Sequence, residues 1–401
     1  MTRTLFTGGQ VFDGTGSPPS TADVVVEGGY VVDVGPGLDG DVAVDCTGTA
    51  VLPGLVDCHV HVMISDVDSL RLAYTPFSYA FYEAERNLGL TIAAGITTVR
   101  DAGGADLGVK KAVDDGLIVG PRMQISVAPL SITGGHGDDW LPSGTHLEFF
   151  VPHPGRPSGL VDGPDEVRRG VRQMLRAGAD VIKVHTTGGV LSPTDDPRHA
   201  HFSPAELDVI VAEAVAQGRS VMAHAQGAEG IKNAVRAGIR SIEHGIYLDD
   251  EAIELMLAHG TWLVPTLSAP LAVIRAAEAG ASIPASSVAK ARAVVEVHRQ
   301  SFAAAVAAGV KVAMGTDAAV VPHGTNLDEL PLMAAGGMTP EQVLAATTSG
   351  AAELLGLQDE VGRLAPGMRA DIVVVDGDAL ALDGLRARVR EVWKDGVRVV
   401  A

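Results

Sequence analysis

Five residues able to bind a divalent ion stand at the ends of short apolar runs scattered along this 401-residue chain. They are His59 and His61 in LPGLVDCHVH, His224 in RSVMAHAQG, His244 in RSIEHG and Asp317 in VKVAMGTDAA. Neutral imidazole and carboxylate both suit zinc and similar cations. On a strand, a spacing of two turns the His59 and His61 rings to the same side, the geometry of a ligand pair. A sixth residue, Lys183 in ADVIKVHTTGG, occupies an equivalent place. Its ammonium offers no lone pair, so it needs a separate chemical explanation. Any one strand-end histidine is more often a hydrogen-bonded core or loop residue, and a lone lysine usually snorkels or pairs with an acid. The joint order and spacing of all six point to one binuclear metal site.

The elements that would carry these residues repeat in an α/β rhythm. Strand-like runs fall near residues 55–61, 96–101, 122–127, 180–185, 220–224, 240–244, 261–265 and 310–315. Between them, runs such as AELDVIVAEAVAQG, EGIKNAVRAG and DEAIELMLAHG place apolar residues at helical spacing and stop at Gly. Such alternation favours parallel connections and a (β/α)8 TIM barrel, whose C-terminal strand ends converge on one mouth. Residues 1–53 carry the strand-like runs LFTGGQVF, ADVVVEGGYVVDV and VAVDCTG, and residues 362–401 carry ADIVVVDGD and VREVWKDGVRVV. Neither end can bury a core alone. The expected organisation is a barrel over 54–361 with both ends paired into one small β-sandwich.

The chain resembles the binuclear-metal branch of the amidohydrolase superfamily. Within it, IKVHTTGGVLSPTDDP, AHAQGAEGIKNAVRAGIRSIEHG and HGTNLDELPLMAAGGMTPEQVL are similar to Xaa-Pro dipeptidases, related carboxypeptidases and ochratoxin-type amidases. The resemblance runs nearly end to end and supports the sandwich. It implies that Lys183 reacts with carbon dioxide to give a carbamate bridging two divalent ions, with zinc favoured by the His-rich set. It also implies that His59, His61 and Asp317 serve the more buried ion and that His224 and His244 serve the second. Asp317 would further act as the catalytic base, taking a proton from the attacking water and returning it to the leaving amine. The implied reaction is hydrolysis of an amide or peptide bond in a dipeptide or N-acyl amino acid. Homo-oligomers, often octamers, are the branch's common assembly.

The longest irregular stretch, APLSITGGHGDDWLPSGTHLEFFVPHPGRPSGLVDGP, has the composition of an active-site wall or lid. By resemblance His136, in TGGHGD, lies beside the substrate, whereas His146 and His153 read as ordinary loop residues. Tyr247 and His323 are weaker candidates for substrate contact, with loop anchoring as the alternative for each. By strand parity Asp57 shares the His59 side and would orient a ligand or make a structural hydrogen bond. Glu243 would point away from His244 in a structural role, and His185 shares the parity of Lys183. Tyr74, Tyr79 and Tyr82 with Arg86 read either as a site ring or as helix packing. Cys58 reads as a small buried hydrophobe and Cys46 carries no signal.

A formal net charge of −19 argues against nucleic-acid backbones and anionic membranes as partners and leaves a small molecule or short peptide as substrate. Two cysteines imply no disulfide framework. The opening MTRTLFTGGQVFDGTG has no signal-peptide core and no later run approaches a membrane span, so a cytoplasmic protein is expected. Two other functional classes remain open: a one-metal cyclic amidine hydrolase or deaminase of the imidazolonepropionase type, and a non-catalytic scaffold. Lys183 discriminates against the first, and an intact ligand set against the second.

Overall fold

The computed structural model describes residues 2–141 and 143–400. Seven parallel strands frame the candidate site, and four of them carry His59, Lys183, His224 and His244. In chain order the seven are Leu55–Val60, Ile96–Asp101, Arg122–Ile125, Val181–His185, Ser220–Ala225, Ser241–His244 and Trp262–Val264. All but the third are buried on both faces, as parallel strands under a helical jacket should be.

The first three strands form one sheet and the last four another. Backbone bonds join the two sheets on both flanks. On one side Leu130 donates to Lys183 O at 2.8 Å and His185 donates to Leu130 O at 2.9 Å. On the other, the stretch 311–318 runs between the seventh strand and the first. There Ala313 donates to Leu263 O at 3.0 Å, Cys58 to Met314 O at 2.9 Å and Asp317 to His59 O at 2.8 Å.

That stretch lies where an eighth strand was expected at 310–315, but it makes only isolated bridges at Val312 and Ala318. The reason is local. Gly315 packs where a Cβ would overlap Val264 and crowd His59, and Asp317 then adopts a left-handed φ of 61°. A regular strand cannot hold that turn. The third strand likewise stops at Ile125, short of the expected 127, because Val127 is left-handed with φ 70°.

The two chain ends meet beside this body. Thr4–Thr7, Asp23–Glu27, Tyr30–Gly35 and Val42–Asp45 make a four-stranded sheet. A six-stranded sheet joins Thr49–Pro53 to Ile372–Asp376 in antiparallel register, with Val51 opposite Val374. Phe6, Val24, Val26, Val31, Val51, Ile372 and Val374, drawn from both sheets, pack into one buried cluster. Among the described residues, no helix is long and apolar enough to cross a membrane.

Candidate metal centre

His59, His61, Lys183, His224, His244 and Asp317 all line one cavity of about 240 Å³ at the C-terminal ends of the parallel strands. His59, His244 and Asp317 bring ligand atoms within 4.8 Å of one another, and Asp317 Oδ1 lies 3.2 Å from His61 Nε2. The His224 ring centroid is 4.7 Å from that of His244.

Each imidazole is anchored through one nitrogen, and His61 also turns its second onto Asp317. His59 Nδ1 donates to Glu243 at 2.7 Å, and His61 Nδ1 donates to Gly103 O at 2.8 Å. His244 Nδ1 pairs with Thr266 Oγ1 at 2.7 Å, whereas His224 uses Nε2, donating to Gly188 O at 3.0 Å. A ring that donates from one nitrogen presents a lone pair on the other when neutral, which is the state a metal requires. Burial favours that state: it is the main force holding His59 and His224 well below the usual imidazole range and His244 down to about 3. Asp317 behaves oppositely. Burial opposes its ionisation, but the hydrogen bond from His61 and the neighbouring rings hold it well below the carboxylate range. At His61 burial again disfavours the charged ring, but the Asp317 carboxylate outweighs it and raises the pKa. Three rings held neutral, His61 and an ionised carboxylate thus face one space, a donor set that fits divalent metal.

Lys183 is 2% exposed, and among the described residues its Nζ makes no hydrogen bond or ion pair. Burial lowers its pKa to about 8, partly offset by Glu243 and Asp317. An amine with that pKa is neutral far more often at neutral pH than an ordinary lysine.

Parity misplaces Glu243. Expected to be structural and turned away from His244, it is fully buried beneath the cavity floor, holding His59 while accepting from Arg100 Nη2 at 2.9 Å and Ser241 Oγ at 2.5 Å. The physical cause is His244, whose φ of 73° ends the strand alternation, so that Glu243 and His244 both turn inward. Arg100, which also donates to Cys58 O at 2.8 Å, escaped the sequence reading. A buried charge inside the strand ITTVRD was its signal. Asp57 orients backbone rather than imidazole, accepting from His59 N at 3.0 Å, Thr316 Oγ1 at 2.6 Å and Asn326 Nδ2 at 2.8 Å.

His136 and His185 line the cavity, with ring centroids 5.0 Å apart. The long irregular stretch supplies much of the wall through Trp140, Leu141, Leu147, Phe149 and Phe150, and Phe150 lies 5.7 Å from the His61 ring. His323 and Tyr247 are not among the lining residues. His323 donates to Ile64 O at 2.9 Å, and half-buried Tyr247 packs into an apolar cluster with Val190, Ile246 and Val294. His153 packs on Phe77 and Phe81. Tyr74 and Tyr82 are 86% and 71% exposed, so they neither pack a helix nor reach the site. Cys58 is fully buried, and burial raises its thiol.

Comparison with known proteins agrees with this geometry. The chain is 39% identical over 366 residues to an ochratoxinase of Aspergillus niger, covering 86% of this chain and 75% of that one. Among solved structures, a Xaa-Pro dipeptidase with bound methionine in its active site superposes with a TM-score of 0.90 at 33% identity, covering 100% of both chains. A prolidase complexed with N-methylphosphonate-L-proline gives 0.91 at 36% identity, again covering 100% of each. The profile of the amidohydrolase family matches residues 50–400, so with its strand-end histidines and Asp317 gathered in one cavity, this chain belongs to that family and is a hydrolytic enzyme.

Proposed function

We propose that this enzyme hydrolyses the amide bond of a Xaa-Pro-like dipeptide or an N-acyl amino acid at a binuclear metal site. The supporting observation is the anchoring of four imidazoles by Glu243, Gly103, Thr266 and Gly188, which turns the second nitrogen of each ring toward the shared space, that of His61 lying 3.2 Å from Asp317 Oδ1. His59, His61, His224, His244 and Asp317 would hold the ions, zinc being favoured, with carbamylated Lys183 between them. Carbamylation turns an ammonium that two cations would repel into an anion with two oxygens, and it consumes the neutral amine that burial favours. When bound, the two ions would activate water near neutral pH and polarise the scissile carbonyl.

The chain's own residues do the rest. Asp317 accepts the proton of the attacking water and delivers it to the leaving nitrogen, which lets the C–N bond break without expelling an amide anion. The wall of Trp140, Phe149 and Phe150 covers apolar substrate surface and excludes water, while His136 and His185 offer polar contacts at the mouth. A (β/α)8 barrel over 54–361 would place these groups, with 1–53 and 362–401 as the accessory sandwich.

A substrate panel tests the assignment. Enzyme supplied with Zn²⁺ and bicarbonate is expected to cleave Xaa-Pro dipeptides or N-acyl amino acids in preference to cyclic amidines and nucleobases. Ring opening or ammonia release across the panel with no amide cleavage would overturn it.

A further inference from the structure

The loop after the fourth parallel strand holds a buried carboxylate that the metal centre does not use. The Asp195 side chain is 3% exposed. Its Oδ2 accepts from Gly189 N–H at 3.1 Å and lies 3.4 Å from His136 Nδ1. Its Oδ1 accepts from the Ser192 hydroxyl and, at 3.2 Å, from the Lys290 ammonium. Burial opposes its ionisation, but His136, Ser192 and Lys290 outweigh that and hold the carboxyl below its usual range.

Lys290 arrives from a different element, the helix Ala285–Ala308. Besides Asp195 Oδ1, its ammonium contacts the carbonyl oxygens of Gly189 at 2.6 Å, Ser192 at 2.5 Å and Asp195 at 3.1 Å. An ammonium has three protons, so four surrounding oxygens saturate it and leave nothing for a substrate. One turn earlier on that helix, Ser287 Oγ donates to Leu191 O at 2.8 Å. The loop is thus pinned to the helix at several points.

What the pinned loop presents is a cradle for one ring. His136 Nδ1 lies 2.7 Å from Ser192 Oγ, and its face stacks on His224 with centroids 4.3 Å apart and planes 21° from parallel. Gly189 lies so close that a Cβ there would overlap the His136 ring. With one nitrogen tied and the ring plane trapped, Nε2 is the nitrogen left for the cavity.

We propose that Lys290, Asp195 and Ser192 form a latch that positions His136 to receive substrate, with Lys290 fixing the loop and Asp195 and Ser192 fixing the ring. The proposal rests on the reading above that His136 faces the substrate. Its physical content is preorganisation: a ring already oriented spares the substrate the cost of ordering it, so the latch acts mainly on binding.

Kinetics on whichever amide the panel identifies provide the first test. Asp195→Asn and Lys290→Met should each raise KM on the order of tenfold with kcat changed by no more than about threefold, because they weaken binding rather than chemistry. Metal content should match wild type. Asp195→Asn added to His136→Ala should cost nothing beyond His136→Ala alone, whereas multiplying costs would overturn the latch. Crystal structures of Asp195→Asn and the milder Ser192→Ala provide a test that needs no turnover. A His136 ring rotated off His224 supports the latch, and an unmoved ring in both variants refutes it. Failure of wild type to cleave any amide would count against the proposed function, while ring orientation would still decide the latch.

Discussion

Glu243 does not line the cavity, yet it decides which nitrogen of His59 does. Its carboxylate accepts the hydrogen bond from Nδ1–H at 2.7 Å and is itself held by Arg100 and Ser241, so the ring cannot flip without breaking a buried ionic network. Glu243→Gln should therefore weaken metal affinity about 10–100-fold with the fold preserved, measurable by competition with a chelator. Asp317→Asn removes a ligand charge and the proposed proton carrier together. Turnover should fall by about 10²–10⁴-fold while circular dichroism stays that of wild type, and near-normal turnover would remove Asp317 from the proton pathway. The candidate ligands were legible because imidazoles and a carboxylate at the ends of apolar runs have few structural uses in combination. Their support was not, because strand parity assumes regular alternation, and His244 at φ 73° breaks it one residue after Glu243. Arg100 and Thr266 were hidden for a different reason: each acts across the fold on residues far away in sequence.

Left-handed residues stand at or just past three strand ends and in the 311–318 stretch: Val127, His244, Thr266 and Asp317. Backbone there turns out of the sheet within one residue, which aims the following loop or the residue's own side chain across the mouth. Strand positions themselves were readable from buried apolar runs, while these turns were not, since none falls on Gly or Asn. The eighth strand failed for the same reason at Gly315 and Asp317. The helix Ser268–Glu278 supplies a prediction at this scale. Buried Glu329 accepts from Leu267 N at 2.6 Å and Ser268 N at 2.8 Å at the helix start, and burial pushes its carboxyl up to about 7. A folded pKa above the usual 4.5 means the folded protein binds the proton more tightly. Its stabilising contribution is therefore full below about pH 4.5 and is lost as pH rises through about 7. The swing is on the order of 3 kcal/mol. Melting temperature followed from pH 5 to 8 should fall less steeply in Glu329→Gln than in wild type, and parallel curves would show that Glu329 does not titrate in that window.

For the whole molecule, metal content is the decisive quantity, because six residues from five separate segments of the chain meet only in the completed fold. Metal analysis after gentle purification should give about two divalent ions per chain. Lys183→Ala should lose metal and activity together, with acetate or propionate restoring part of both by filling the vacated space. One ion per chain at full activity would instead favour a one-metal deaminase-like enzyme. The sheet that joins the chain ends bears on how the site comes into being. Thr49–Pro53 runs on almost directly into the strand bearing His59, and its antiparallel neighbour, Ile372–Asp376, lies near the far end of the sequence. During synthesis on the ribosome the first ligand strand therefore emerges long before the strand that anchors it. A chain cut short ahead of Ile372 would carry every candidate ligand and still leave Thr49–Pro53 paired only with Gln10–Val11 on its other edge, so incomplete translation products should be poor scavengers of divalent ions.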